Sequence, residues 1–273
     1  MTGITSARTP GRPLHRGQIA LAGILLGLAA VGWIFTDVRM RGMDAGPGTD
    51  LGALGFYISA WVVMTAAMMF PSIVPMVLTY ARVAAGLRER GRSGSTSTFV
   101  GGYLVSWAIY GLLAYGLFDL VRSLSIRGLR WDHGGRYLAG IVVVAAALYQ
   151  LTPAKDACLR RCRNPLEFLG EEWRDGRRGA LRMGAAHGAW CVGCCWALMA
   201  ALFALGVMSV GWMIFVAAII AIEKLLPWRR PTSVAVALVL LILGLGIALV
   251  PERVPGLTLP GSSAAHHAMS PMR

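Results

Sequence analysis

Charged side chains are scarce in this sequence, and acidic ones are the scarcest. Only 14% of the 273 residues are charged, and 13 Asp or Glu stand against 26 Lys or Arg. This charge content excludes an ordinary soluble globular domain, in which about a quarter of the residues are charged. The sequence also lacks a phosphate-binding loop of the GxxxxGK[ST] type and a soluble catalytic domain. Active pumping would therefore need a partner that supplies the energy.

Cysteine is also infrequent, and its placement excludes a secreted disulfide framework. The chain has five Cys residues. Three of them, Cys191, Cys194 and Cys195, lie inside an apolar run, whereas Cys158 and Cys162 lie in a basic segment. Disulfide scaffolds instead place an even number of cysteines in short, loop-rich secreted chains.

Long apolar runs account for most of the chain, which is 56% hydrophobic. A helix needs about 20 apolar residues to cross a bilayer. We therefore predict an all-α, polytopic membrane helix bundle of about seven spans, with the lipid bilayer as its first partner. The spans are expected at residues 18–35, 53–81, 99–121, 136–153, 183–208, 211–226 and 232–250.

Basic residues lie mainly between the apolar runs. Segments 1–17, 82–98, 154–182 and 224–230 hold 3, 4, 8 and 3 Lys or Arg residues, 18 of the 26 in the chain. The positive-inside rule explains this distribution and the net charge of +13 without a nucleic-acid partner. It predicts a cytoplasmic N-terminus, an outer C-terminus and a multi-pass location in a bacterial inner membrane.

The predicted domain organisation follows from this topology. Residues 1–17 form a basic cytoplasmic N-terminus, and the first span is expected to be uncleaved. Residues 18–250 form the transmembrane domain, with a basic cytoplasmic loop at 154–182. Residues 251–273, rich in Pro, Gly and Ser, are predicted to be a disordered tail on the outer side.

The fifth predicted span carries an unusual set of donors, His187, Cys191, Cys194, Cys195 and Met199. At about 100° per residue these side chains fall within an arc of roughly 140° on one helix face. Sulfur donors with an imidazole and no carboxylate suit Cu(I) best and Zn(II) less well. The alternative is structural, because Cys and Met also pack well in apolar helices.

The second predicted span presents a matching face. Read forwards, the residues Met64, Met68, Met69, Ser72 and Met76 have the same steps as the fifth-span donors read backwards from Met199 to His187. At about 1.5 Å rise per residue, two antiparallel helices would bring every pair level. We hypothesise a ladder of soft ligands between these helices. Pro71 and Pro75 are expected to kink the second span, as a structural bend or as an opening for a site.

Further candidates lie outside these two spans. Cys158 and Cys162 would share one face of a helix and are accessory metal candidates, with inert thiols as the alternative. His266, His267, Met269 and Met272 in the tail are also accessory candidates, or an uninformative chain end. Glu223 and Lys224, near the end of the sixth span, are expected to pair or to reach the membrane interface.

Three segments carry a resemblance to a known family. MTAAMMFPS (64–72), YQLTPAKDACLRRCRNPLEFL (149–169) and HGAWCVGCCWALM (187–199) resemble the bacterial family of predicted metal-binding integral membrane proteins, often labelled copper chaperones. The resemblance covers roughly residues 52–226. It implies ligands at His187, Cys191, Cys194 and Cys195, with the Met-Met-x-Pro block as their partner, and it adds weight to Cys158 and Cys162.

We therefore predict a membrane copper chaperone or transporter that binds Cu(I), with a membrane cuproenzyme or a copper carrier as its protein partner. One alternative is a membrane thiol–disulfide oxidoreductase that passes electrons to a quinone, since Cys191 and Cys194 have CxxC spacing. Another is a structural subunit of a membrane complex. An enzymatic activity is not the expected function.

Overall fold

The computed structural model describes residues 16–40, 51–86, 95–123, 134–226 and 228–257. Within these residues the chain forms nine α-helices and no strand, which confirms the all-α prediction. The helices are α1 (Arg16–Met40), α2 (Leu54–Gly86), α3 (Ser95–Ser123), α4 (Arg136–Tyr149), α5 (Pro153–Arg163), α6 (Pro165–Glu172), α7 (Gly176–Leu205), α8 (Val210–Leu225) and α9 (Arg229–Leu249).

Five helices, α1, α2, α3, α7 and α9, are long and apolar enough to cross a membrane. Helices α4 and α5 meet the same requirement only as a pair, and the pair bends by 66°. Helix α8 has only 16 residues. The structure thus supports five or six spans by length and composition, and the predicted count of seven is not confirmed.

Large apolar side chains cover much of the outer surface of the bundle. Leu113 on α3 is 69% exposed and Ile242 on α9 is 71% exposed. A water-facing surface of this composition would be costly. The exposed helix faces therefore fit contact with lipid.

Glycines bring α3 and α7 into close contact. A Cβ atom added at Gly184 would collide with the backbone carbonyl of Phe99, and one at Gly188 would lie 2.8 Å from the carbonyl oxygen of Tyr103. Gly102 meets the backbone of Leu181 in the same way. Small residues spaced four apart, such as Gly184 and Gly188, allow this close approach between helices.

Two short helices occupy most of the segment that we predicted to be a basic loop, residues 154–182. Helix α5 begins after Thr152, whose side chain accepts a hydrogen bond from the Lys155 amide, and Pro153 takes its first position. Helix α6 begins at Pro165. Lys155, Leu159, Phe168 and Leu169 of this segment are buried, and its cytoplasmic location stays a prediction.

The two prolines of α2 do not interrupt the helix. The Ser72 hydroxyl donates to the carbonyl of Met69 over 2.8 Å, and the Thr79 hydroxyl donates to the carbonyl of Pro75 over 2.7 Å. Hydroxyl groups near the prolines thus bond backbone carbonyls inside the helix, as membrane helices commonly require.

The first residues of the predicted tail form regular structure next to α9. Residues Pro251–Arg253 form a 3-10 turn. The indole nitrogen of Trp212 on α8 donates to the carbonyl of Gly256 over 3.0 Å. Residues 258–273, with His266, His267, Met269 and Met272, lie outside the described residues.

Candidate metal centre

Three cysteine sulfurs of α7 form a compact buried group. The Sγ atoms of Cys191, Cys194 and Cys195 all lie within 4.8 Å of one another. The Sγ atoms of Cys194 and Cys195 are 3.3 Å apart, and Cys194 Sγ donates to the Cys191 carbonyl over 3.2 Å. The spacing along the helix explains the group, because residues three and four apart share one face.

The size of this group suits a soft metal ion. Zinc–thiolate bonds are about 2.3 Å long, so two sulfurs bonded to one such ion lie at most about 4.6 Å apart. Three sulfurs without a carboxylate favour Cu(I) over hard ions such as Mg²⁺ or Ca²⁺. Only small shifts of the three side chains would be needed to bind one ion.

A lysine from α8 contacts the cysteine group. Lys224 Nζ lies 2.9 Å from Cys191 Sγ and 3.4 Å from Ser72 Oγ on α2. An ammonium at this distance favours the thiolate form of cysteine, which is the form that binds metal. Lys224 therefore supplies positive charge beside the sulfurs.

Glu223 has a different partner from the one expected. Its carboxylate oxygens lie 2.6 and 2.7 Å from Lys155 Nζ on α5. The prediction that Glu223 and Lys224 pair or extend to the interface was wrong, since each side chain bonds another helix inside the bundle. The acidic group neutralises Lys155, and Lys224 remains beside Cys191.

A tyrosine contacts the same sulfur from α3. The Tyr103 hydroxyl oxygen lies 3.0 Å from Cys191 Sγ, and its side chain is fully buried. Cys191 thus has a hydroxyl on one side and an ammonium on another. Both groups can donate a hydrogen bond to a thiolate.

Both cysteines of α5 lie next to α7. Cys162 Sγ is 3.8 Å from Cys194 Sγ. A Cβ atom added at Gly193 would lie 2.8 Å from Cys158 Sγ, so Gly193 leaves room for that side chain. The structure therefore brings the two groups of cysteines together, although they are far apart in sequence.

His187 lies one helical turn before Cys191 and is buried among rings. Its ring centroid is 5.2 Å from Phe168, 6.0 Å from Tyr103 and 6.2 Å from Phe99. Its Nδ1 atom has no hydrogen-bond partner among the described residues. The imidazole is not a member of the compact sulfur group, and its role as a ligand stays a prediction.

The predicted methionine ligands are all buried, and their metal-binding role also stays a prediction. They are Met64, Met68, Met69, Met76 and Met199. The ladder between α2 and α7 also stays a prediction. A side chain of a third helix, Lys224 of α8, bonds both Ser72 and Cys191, and the Trp61 and Phe203 ring centroids are 5.7 Å apart.

The comparisons with known proteins agree with this chemistry. A family model described as "Copper chaperone" matches residues 58–247. The chain belongs to this copper chaperone family. No curated protein and no solved structure matches it.

Membership of the copper chaperone family and the buried sulfur group together indicate copper handling. The matched region contains every described residue of the site, from α2 to α8. The apolar helices indicate that this copper handling involves a membrane.

Sequence reasoning missed Tyr103, Lys155 and Lys224 as neighbours of the site. No local pattern around these residues indicates a metal site, because each meets its partner across helices. The one available signal was the presence of Glu223 and Lys224 at the end of an apolar run, since charged residues there are commonly functional.

Proposed function

We propose that the protein binds Cu(I) through Cys191, Cys194 and Cys195 and hands it on within a bacterial inner membrane. The single observation that carries this proposal is the buried group of three sulfurs within 4.8 Å. Cu(I) prefers such thiolate sites, and Zn(II) is the weaker alternative because Zn(II) sites are usually four-coordinate.

The role is that of a membrane copper chaperone or transporter. Cu(I) is the cargo, and a membrane cuproenzyme or a copper carrier is the partner. His187 and the five buried methionines would bind the ion more weakly than the thiolates and allow it to move on. The family description supports the chaperone role more directly than transport.

The proposed topology has seven spans with a cytoplasmic N-terminus and an outer C-terminus. Helix α4 and the short helix α8 would supply the two spans beyond the five long helices, at the predicted spans 136–153 and 211–226. The distribution of Lys and Arg supports the orientation. In this topology α5 and α6 lie on the cytoplasmic side.

The test is the copper content of the purified protein in detergent after anaerobic loading with Cu(I). We expect about one tightly held ion in the wild type and none in a variant with Cys191, Cys194 and Cys195 all changed to Ser. Ala197→Ser is the matched control, because it adds a hydroxyl at a buried position of the same helix without removing a thiol.

Equal copper content in the wild type and the triple variant would contradict the proposal. Circular dichroism on both variants separates the loss of the site from the loss of the helices. Loading with Zn(II) in parallel identifies the preferred metal.

A further inference from the structure

Two cysteines outside the proposed copper site, Cys158 and Cys162, lie on the face of α5 that contacts α7. Cys162 Sγ is 3.8 Å from Cys194 Sγ, and Cys158 lies over Gly193. Residues four apart on a helix are neighbours, so these two thiols follow one another along a single face. The result is a row of sulfurs from α5 to α7.

Accessibility changes along this row. Cys191, Cys194 and Cys195 are buried, whereas Cys158 and Cys162 are only partly buried. A soluble ligand that exchanges Cu(I) must reach a sulfur at the surface, and the three α7 thiols do not offer one. The α5 thiols therefore lie between the buried site and the surroundings of the protein.

The Cys162 sulfur lies close to the buried group of three sulfurs but is not one of its members. Its sulfur is close enough to Cys194 for both to bond one ion, given metal–thiolate bonds of about 2.3 Å. Yet Cys162 is not a member of the group in which all sulfurs lie within 4.8 Å. Its partial exposure, together with this position, suits a ligand that exchanges copper with the surroundings.

Helix α5 is held in this position by buried contacts. Lys155 at its start pairs with Glu223 on α8. The Tyr149 hydroxyl, just before α5, donates to the carbonyl of Gly193 over 2.6 Å. These contacts hold α5 against α8 and the end of α4 against α7, and in this packing Cys162 lies next to Cys194.

We propose that Cys162 and Cys158 form an exchange path through which Cu(I) enters and leaves the buried site. This inference rests on the proposed function. In the outward step a bond forms between Cu(I) and the Cys162 sulfur while a bond to one α7 sulfur breaks. The Cys162 thiol loses its proton, the released thiolate gains one, and copper remains Cu(I) throughout.

The experiment measures the rate at which the copper-loaded protein in detergent transfers Cu(I) to a water-soluble colorimetric chelator. The variants are Cys162→Ser, Cys158→Ser and the triple α7 cysteine variant. We expect both single variants to hold as much copper as the wild type and to release it about tenfold more slowly. Loading from the same chelator complex should slow by the same factor.

A conservative variant separates ligand exchange from a packing effect. Cys162→Met keeps a soft sulfur donor but not a thiol, so we expect a release rate between those of the wild type and Cys162→Ser. A release rate equal to that of Cys162→Ser would overturn the exchange role, since sulfur would then have no effect.

The other outcomes distinguish this inference from the proposed function. Wild-type exchange rates in Cys162→Ser and Cys158→Ser, with copper retained, overturn only the exchange path. Loss of copper from Cys162→Ser also overturns it, because Cys162 would then belong to the resident site. Retention of copper by the triple variant overturns both.

Discussion

Lys155 and Glu223 form an ion pair in the interior of the bundle, with side chains that are 1% and 2% exposed. The pair joins the first turn of α5 to the end of α8. Both carboxylate oxygens accept from the ammonium, at 2.6 and 2.7 Å. It holds the cysteine-bearing helix α5 against the site.

We expect Lys155→Met or Glu223→Gln alone to destabilise the protein by about 3–5 kcal/mol, because each leaves a buried charge without its partner. Thermal unfolding in detergent, followed by circular dichroism, measures the change. The double variant Lys155→Met with Glu223→Met should recover much of the loss, since apolar replacement of a whole buried pair is often neutral. Single variants as stable as the wild type would show that the pair is not closed in solution.

The apolar helices could be predicted from the sequence, but this ion pair could not. Each of the seven predicted spans corresponds to a helix. A membrane segment must form its backbone hydrogen bonds within itself, so its own apolar sequence is enough to predict a helix. The donor face of α7 was also predictable, because it depends only on helical spacing. Lys155 and Glu223 are 68 residues apart, and no local pattern indicates that they meet.

The same limit applies to the site. Cys191, Cys194 and Cys195 were predicted as one group, whereas the approach of Cys162 depends on how α5 packs. The basic composition of residues 154–182 indicated a cytoplasmic segment, but it did not show that Lys155 and Phe168 would be buried. Tertiary contacts of this kind cannot be predicted from composition and periodicity.

The charge of Lys224 should strengthen copper binding. Lys224→Met removes a hydrogen bond between the ammonium and Cys191 Sγ. Hydrogen bonds to charged groups contribute about 1.5–3 kcal/mol. We therefore expect Cu(I) affinity to fall roughly ten- to a hundredfold, measured by competition with a chelator of known affinity.

Lys224→Arg is the matched control, because it keeps the positive charge, and we expect a smaller loss of affinity. Equal affinity in Lys224→Met and the wild type would contradict an electrostatic role of this side chain.

The glycine contact between α3 and α7 should be sensitive to single methyl groups. A Cβ atom at Gly184 would meet the backbone of Phe99, which cannot rotate away. We expect Gly184→Ala to destabilise the protein by about 1–3 kcal/mol, as overpacking commonly does. Unfolding temperature in detergent measures the effect.

Gly101→Ala on α3 serves as the control for this substitution, since nothing lies within 4 Å of the added methyl group. It should be neutral or slightly stabilising, because alanine favours helix more than glycine does. Equal effects of the two substitutions would mean that the close contact is absent.

The glycine contact also decides which parts of the protein can move when copper passes. Where backbones touch without intervening side chains, one helix cannot shift without the other, so we expect α3 and α7 to keep their relative position. Tyr103 and the three α7 cysteines then stay together as a fixed set of donors. Helices α5 and α8 reach these sulfurs through the side chains of Cys162 and Lys224. Copper exchange would therefore need rotation of these two side chains, while the Lys155–Glu223 pair keeps α5 and α8 in place.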